Sequence, residues 1–286
     1  MKNVLVFGGT RFFGKRLVEL LIQNGHNVTI ATRGQSNDEF GKKVNRIILD
    51  REKAESLNDL KNTYWDFVYD NICYSPVAAK IACETFQENV GKYIFTSTLS
   101  VYDEGDLLEE ADFNPYTYNY KIGDRNEFDY KEGKRNAEAY FFQKAPFQVI
   151  APRFPIVLGE DDYTQRLVFH INNIKNLKPI SADDFIGGMC FISAKEAANF
   201  LYWLMDIDFE GPINACSNGV ISLNEIVALI ETNSKTTAKT SRNTLENVSP
   251  FNGMPNYKLS NKKARELGFQ FENVNVWMQE LIEFLT

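Results

Sequence analysis

Histidine and cysteine are scarce: two of the first (His26, His170) and four of the second (Cys73, Cys83, Cys190, Cys216) in 286 residues. No two cysteines stand at CxxC spacing and no His/Cys/carboxylate cluster falls at ligand spacing, so a zinc site has no support. Cysteines scattered in this way are expected as reduced core residues rather than a disulfide framework. No apolar run approaches the ~20 residues that span a bilayer, so no membrane partner is expected. Nor is there a cationic excess. Against 31 Lys and Arg stand 38 Asp and Glu, leaving a formal charge of −7 and a pI near 5.1. That balance opposes a broad, salt-dependent nucleic-acid surface, and RNA or DNA is not the expected partner. Lys2 leads at once into an apolar strand with no signal segment before it, which predicts a cytoplasmic protein. Repeats and low-complexity segments are missing too.

What is present is an alternation. Hydrophobic residues make up 44% of the chain and charged residues 24%, ordinary for a globular fold. Short apolar runs at residues 3–7, 27–32, 44–49, 66–69, 93–97 and 147–151 predict strands. Helical periodicity separates them at 13–23, 52–60, 76–89 and 129–144. Strands alternating with helices predict parallel pairing, hence an α/β fold with a Rossmann-type, doubly wound sheet. After Pro152 the pattern loosens. Helices are expected at 163–176, 194–205, 222–230, 261–267 and 275–285, a strand at 188–192, and a mobile loop at 232–244. Ser222 with Glu225 three residues on reads as a capping box. The organisation expected is a dinucleotide domain over 1–155, to which 187–207 return, and a smaller α/β substrate lobe from 156–186 and 208–286.

The chemistry gathers at strand ends. Gly8-Gly9-Thr10-Arg11-Phe12-Phe13-Gly14 follows the first strand and opens the first helix. Glycine at 8 permits a tight turn, glycine at 14 lets the helix pack close, and amides at the helix start face phosphate. At the end of the second strand, Thr32-Arg33-Gly34 carries no carboxylate to hold an adenosine ribose. Arg33, with Arg11 in the turn, instead suits a 2′-phosphate, which favours NADP over NAD. Asp50 can accept from the adenine amino group or cap the helix that follows.

Tyr130 and Lys134 stand one helical turn apart. A phenol with a reference pKa of about 10 needs a nearby cation to act as acid or base at neutral pH, and Lys134 supplies one. Tyr140 and Lys144 share the spacing but run into Pro146 and the next strand, away from the expected coenzyme. Hydroxyls at the end of the fifth strand, Thr96-Ser97-Thr98-Leu99-Ser100, can hold a substrate carbonyl or hydroxyl beside Tyr130. The loop 115–120, with three tyrosines, and the turn Ser249-Pro250-Phe251 are either substrate walls or aromatic packing.

On these residues the chain resembles the extended branch of the short-chain dehydrogenase/reductase superfamily, the NAD(P)-dependent epimerase/dehydratase-like proteins of sugar nucleotides. The glycine turn, the segment 95–102, Tyr130-xxx-Lys134-xxx-Glu138, Arg153, Phe191-Ile192-Ser193 and Glu266-Leu267-Gly268 fall in family order. The resemblance implies Thr98 as the catalytic hydroxyl, Tyr130 as acid/base and Lys134 as its cation and nicotinamide-ribose ligand. It places Pro155 and Val157 beside the nicotinamide, and Gly8, Thr10, Arg11, Phe12, Phe13 and Gly14 around the pyrophosphate. It implies hydride transfer at a sugar or sugar-nucleotide hydroxyl, and a homodimer packed through the helices at 76–89 and 129–144. One departure stands out: Arg11 replaces the middle glycine, which resembles an atypical subgroup that includes chloroplast stem-loop RNA-binding proteins. That subgroup implies the alternative of a non-catalytic dinucleotide-binding protein, redox-responsive or RNA-associated.

Overall fold

The computed structural model describes residues 1–286 except 36 and 243. Contacts divide the chain into two compact units. The first comprises 1–102, 110–154 and 197–214; the second comprises 103–109, 155–196 and 215–286.

The first unit is built on an eight-stranded parallel sheet. Its strands are β1 (Asn3–Phe7), β2 (Asn27–Thr32), β3 (Asn45–Ile48), β4 (Trp65–Asp70), β5 (Val90–Phe95), β6 (Ser97–Thr98), β7 (Gln148–Phe154) and β8 (Gly211–Asn214). The spatial order is β8-β7-β5-β4-β1-β2-β3, with β6 beside β7. The chain therefore runs outward from β1 to β3 and returns to β4 on the other side of β1. Such a reversal opens a crevice at the strand carboxyl ends, where doubly wound sheets bind ligands. Here it lies between Phe7 and Asp70, which are paired in register.

The central strands are apolar on both faces because helices cover both. Val4, Leu5 and Val6 are fully buried. Leu5, Phe7, Val68, Ala82, Phe86, Tyr93 and Phe141 share one cluster under α2 (Pro76–Phe86) and α3 (Tyr130–Lys144). The helix α1 (Phe12–Gln23) buries Leu17, Val18 and Leu21 at i, i+1, i+4 spacing. Starts are encoded locally in two cases: Ser75 Oγ accepts from Ala78 N (3.2 Å), with Pro76 at the first helical position, and Asp129 Oδ1 accepts from Glu132 N (2.7 Å).

Beneath this face sits a buried ionic network. Arg153 on β7 and Glu138 on α3 are both fully buried and paired. Ser97 Oγ donates to Glu138 (2.5 Å), while Arg153 donates to the Tyr102 hydroxyl (2.7 Å) and to the carbonyls of Glu110 and Phe113 (3.0 Å each). Full satisfaction of the guanidinium is what makes its burial tolerable.

The second unit has its own core, which includes Leu158, Ile174, Phe191, Ile226, Phe251 and Met278. Short strand pairs join Ile156–Leu158 to Phe191–Ser193 and Pro179–Ser181 to Lys239–Ser241, both parallel. The helix Leu223–Ser234 starts at a Ser222–Glu225 capping box.

Several sequence expectations need correction. Residues 208–214, assigned to the smaller lobe, belong to the first unit, because β8 pairs with β7. Residues 187–196, expected to return to the dinucleotide domain, group with the second unit instead. The stretch expected as a helix at 52–60 is a 3-10 turn, Ala54–Asn62. The strand expected at 188–192 is two short strands, Gly188–Met189 and Phe191–Ser193, with different partners. All four cysteines are free and buried. No helix among the described residues is long and apolar enough to cross a membrane.

A candidate dinucleotide site

The first unit carries a cavity of about 220 Å³ at the carboxyl ends of β1 to β4. Gly8 and Thr10 line it after β1, Thr32, Arg33 and Gln35 at and after the end of β2, Asp50, Arg51 and Glu52 after β3, and Ile72 and Tyr74 after β4. Arg125 reaches it from the segment before α3.

The turn from β1 into α1 is shaped by contact. Gly8 sits at φ +75°, and a Cβ there would lie 2.7 Å from Ile72 Cγ2. At Gly14 a Cβ would fall 2.1 Å from the carbonyl oxygen of Gly8. Only glycine lets the first turn of the helix close on the end of the strand. Arg11, the N-cap of α1, is extended (φ −140°, ψ 155°), a conformation any residue adopts, and gives no side-chain cap hydrogen bond. With no acidic residue in the first turn either, the helix start keeps its positive end uncompensated by its own carboxylates. That is the chemistry a pyrophosphate requires.

Two buried side chains beside the turn hold donors without acceptors. Asn71 accepts from Thr96 Oγ1 (2.7 Å) but its Nδ2 has no partner, and Arg51 Nε and Nη1 have none. Arg51 is 4% exposed and donates through Nη2 to Asp70, which also accepts from the Tyr93 hydroxyl (2.6 Å). Burial opposes the Arg51 charge, yet Asp70 beside it holds the guanidinium well above its usual range. Orphaned donors next to a glycine cradle are what a dinucleotide, rich in acceptor oxygens and nitrogens, would satisfy. The residues present fit the group.

Toward β5 the hydroxyl and amine groups assemble. Lys134 is 2% exposed and donates to the Thr96 carbonyl (2.8 Å); its Nζ lies 4.7 Å from the Tyr74 ring centroid and 4.8 Å from that of Phe95. Burial pulls its pKa down to about 8, with Cys73 and Asp70 acting the other way. Tyr130, first residue of α3, is 54% exposed, with its ring 6.2 Å from Tyr74. Thr98 is buried on β6, and its Oγ1 accepts from Ser100 N (3.2 Å), capping the turn after it. Two rungs, Lys134 to Thr96 and Glu138 to Ser97, tie α3 to the β5–β6 segment that carries Thr98.

The residues expected at the coenzyme are thus distributed unevenly. Gly8, Thr10, Arg33 and Asp50 line the cavity. Asp50 also starts the next turn, its Oδ1 accepting from Glu52 N (3.2 Å). Gly14 acts from behind, through the close packing just described. Arg11, Phe12 and Phe13 do not line the cavity. Phe12 is buried at φ +53°, and the half-buried Phe13 packs on Phe12 (5.7 Å) and Phe154 (6.0 Å). Pro155 and Val157 fall in the second unit, Val157 paired with Ile192. The aromatic loop is packing: Tyr116 meets Phe142 (5.1 Å), Tyr120 meets Tyr140 (5.5 Å), and the Tyr118 hydroxyl donates to Glu132 (2.7 Å), so the loop lies along α3. Phe251 is core, stacked on His170 at 4.6 Å. Tyr74, Asn71, Arg51 and Arg125 were not anticipated. The first three follow strand ends, a positional signal that was available; Arg125 sits in a stretch without periodicity.

The profile of the NAD dependent epimerase/dehydratase family matches residues 4–205. The chain belongs to that family. Its fold is shared with UDP-glucose 4-epimerase of Thermus thermophilus in complex with NAD (16% identity, TM-score 0.76, 99% of this chain and 98% of that one). An epimerase of Methanothermobacter thermautotrophicus aligns over 99% of this chain and 91% of its own (18% identity, TM-score 0.79). A curated relative, the chloroplast stem-loop binding protein of 41 kDa b of Arabidopsis thaliana, is 29% identical over 125 residues, 39% of this chain. The aligned part spans 33% of that relative's length.

Proposed function

We propose that this family member transfers hydride between a nicotinamide dinucleotide, NADP in preference to NAD, and a hydroxyl-bearing carbon of a sugar or sugar nucleotide. The observation that carries the reading is Lys134: a buried ammonium anchored to the Thr96 carbonyl, one turn along α3 from Tyr130. With a pKa of about 8 it is charged at neutral pH, and its field favours a phenolate at Tyr130. Tyr130 takes the proton of the substrate hydroxyl, and Thr98 orients that hydroxyl. The bound coenzyme supplies the hydride acceptor. Gly8 and Thr10 hold its phosphates, Asp50 its adenine and Arg33 its 2′-phosphate; the want of a carboxylate at the end of β2 removes the usual partner of a free ribose 2′-hydroxyl. UDP-sugar epimerases of the same fold support the substrate class, and a cytoplasmic setting suits it.

Tyr130→Phe tests the assignment. Turnover on a panel of nucleotide sugars should fall by about 10²–10⁴-fold while calorimetric affinity for NADP⁺ stays unchanged. Equal turnover in both proteins would remove Tyr130 from the chemistry.

The likeness to a stem-loop binding protein favours a second reading, a dinucleotide-binding protein associated with RNA. The charge of −7 weighs against it. No retention of stem-loop RNA in a low-salt gel shift would dispose of it.

A further inference from the structure

The glycine turn has cations on both sides, and one of them comes from the long connection between β6 and α3. In the sheet order β4-β1-β2-β3, Arg33 lies on the β2 side of the turn and Tyr74 on the β4 side. The Arg125 guanidinium stacks over Tyr74 at 4.5 Å from the ring centroid while lining the same cavity. Its backbone is held by a tight turn: Glu127 N donates to the Asp124 carbonyl (3.0 Å), and Glu127 Oε1 accepts from Asp124 N (2.6 Å). The Glu127 carboxylate is thereby engaged within its own turn. Arg125 itself is exposed. An exposed cation–π contact is weaker than a charge-assisted pair of hydrogen bonds to phosphate. Lys134, 4.7 Å from the same ring, already supplies Tyr74 with a cation.

We propose that Arg125 is a phosphate clamp: parked on Tyr74 in the free protein, it closes on the coenzyme pyrophosphate from the side opposite the α1 amides. The inference rests on the dinucleotide reading above. It assigns adenylate recognition to the β2 and β3 ends and pyrophosphate recognition to α1 and Arg125 together.

Calorimetry of wild type, Arg125→Met and Arg125→Lys with NADP⁺, ADP-ribose and 2′-AMP tests it. Because Arg125 is exposed, the variants should melt with the wild type. Arg125→Met should weaken NADP⁺ and ADP-ribose by roughly ten-fold or more and leave 2′-AMP, which has no pyrophosphate, within about two-fold. Arg125→Lys, a point charge without the planar fork, should fall between. Unchanged ADP-ribose affinity in Arg125→Met overturns the clamp, as does an equal loss for 2′-AMP, which would put Arg125 at the adenylate end. If the wild type binds neither NAD⁺ nor NADP⁺, the dinucleotide reading itself fails, a result distinct from either.

Discussion

Replacing Lys134 by methionine should make the protein more stable and less able to bind its coenzyme. The ammonium is 2% exposed, with one hydrogen bond to the Thr96 carbonyl and two aromatic rings nearby. Burial lowers its pKa from 10.5 to about 8. A base whose pKa is lower folded than unfolded penalises the folded state wherever the unfolded chain is protonated. Below pH 8 the penalty is complete, about 3 kcal/mol for that shift at 1.36 kcal/mol per unit. Between pH 8 and 10.5 the unfolded chain binds the extra proton, so stability contributed by this site rises with pH. By pH 10 about 1 kcal/mol of penalty should remain. Methionine keeps the apolar stem and removes the charge. Urea unfolding of wild type and Lys134→Met at pH 7 and at pH 10 reads the effect as a difference, in which all other titrating groups cancel. The variant should lead by about 1–3 kcal/mol at pH 7, less lost packing, and the gap should shrink by about 2 kcal/mol at pH 10. A variant that is less stable at pH 7, or a gap that does not change with pH, would refute the argument that the lysine is held against its own solvation.

Two further outcomes follow from the packing of α3. Glu138→Ala strands the fully buried Arg153 charge and should cost about 3–5 kcal/mol in chemical denaturation, whereas Glu138→Leu combined with Arg153→Met should recover most of it. Assembly through α2 and α3 should be blocked: α2 exposes Lys80 and Glu84 and buries nearly everything else, and residues 115–121 cover α3, with Gln143 donating to the Pro115 and Tyr118 carbonyls (2.8 and 2.9 Å). Light scattering at micromolar concentration should give the chain mass of 32.8 kDa; a dimer that Tyr140→Glu dissociates would show those helices in contact after all.

The sheet was legible where strands are buried on both faces. β1 and β2 read to the residue because apolar and β-branched residues fill their interiors and their turns are marked by glycine. β5 begins three residues before its apolar run, since Lys92 belongs to it; the ammonium is satisfied by the carbonyls of Leu204 and Ile207 (3.3 and 2.6 Å), partners that are remote in sequence. β8 escaped notice because Gly211-Pro212-Ile213-Asn214 carries strand breakers, which an edge strand tolerates. Lys239–Ser241 has too few residues to show alternation and gains its strand character from Pro179–Ser181. At the site, residues tied by local geometry were visible: the glycine turn, and the one-turn spacing of Tyr130 and Lys134. Arg51 and Arg125 were not, because a guanidinium reaching Asp70 or Tyr74 is a product of tertiary placement that no spacing encodes.

Phe12 gives the phosphate turn an unusual economy. A phenylalanine at φ +53° is held in a backbone region that disfavours its side chain by about 1–2 kcal/mol, and burial of the ring at 5% exposure offsets that cost. Where a glycine would leave the loop loose until an anion arrives, here hydrophobic packing has already frozen it. The ordering entropy is met when the chain folds, so an anion held by those amides would have no loop left to order.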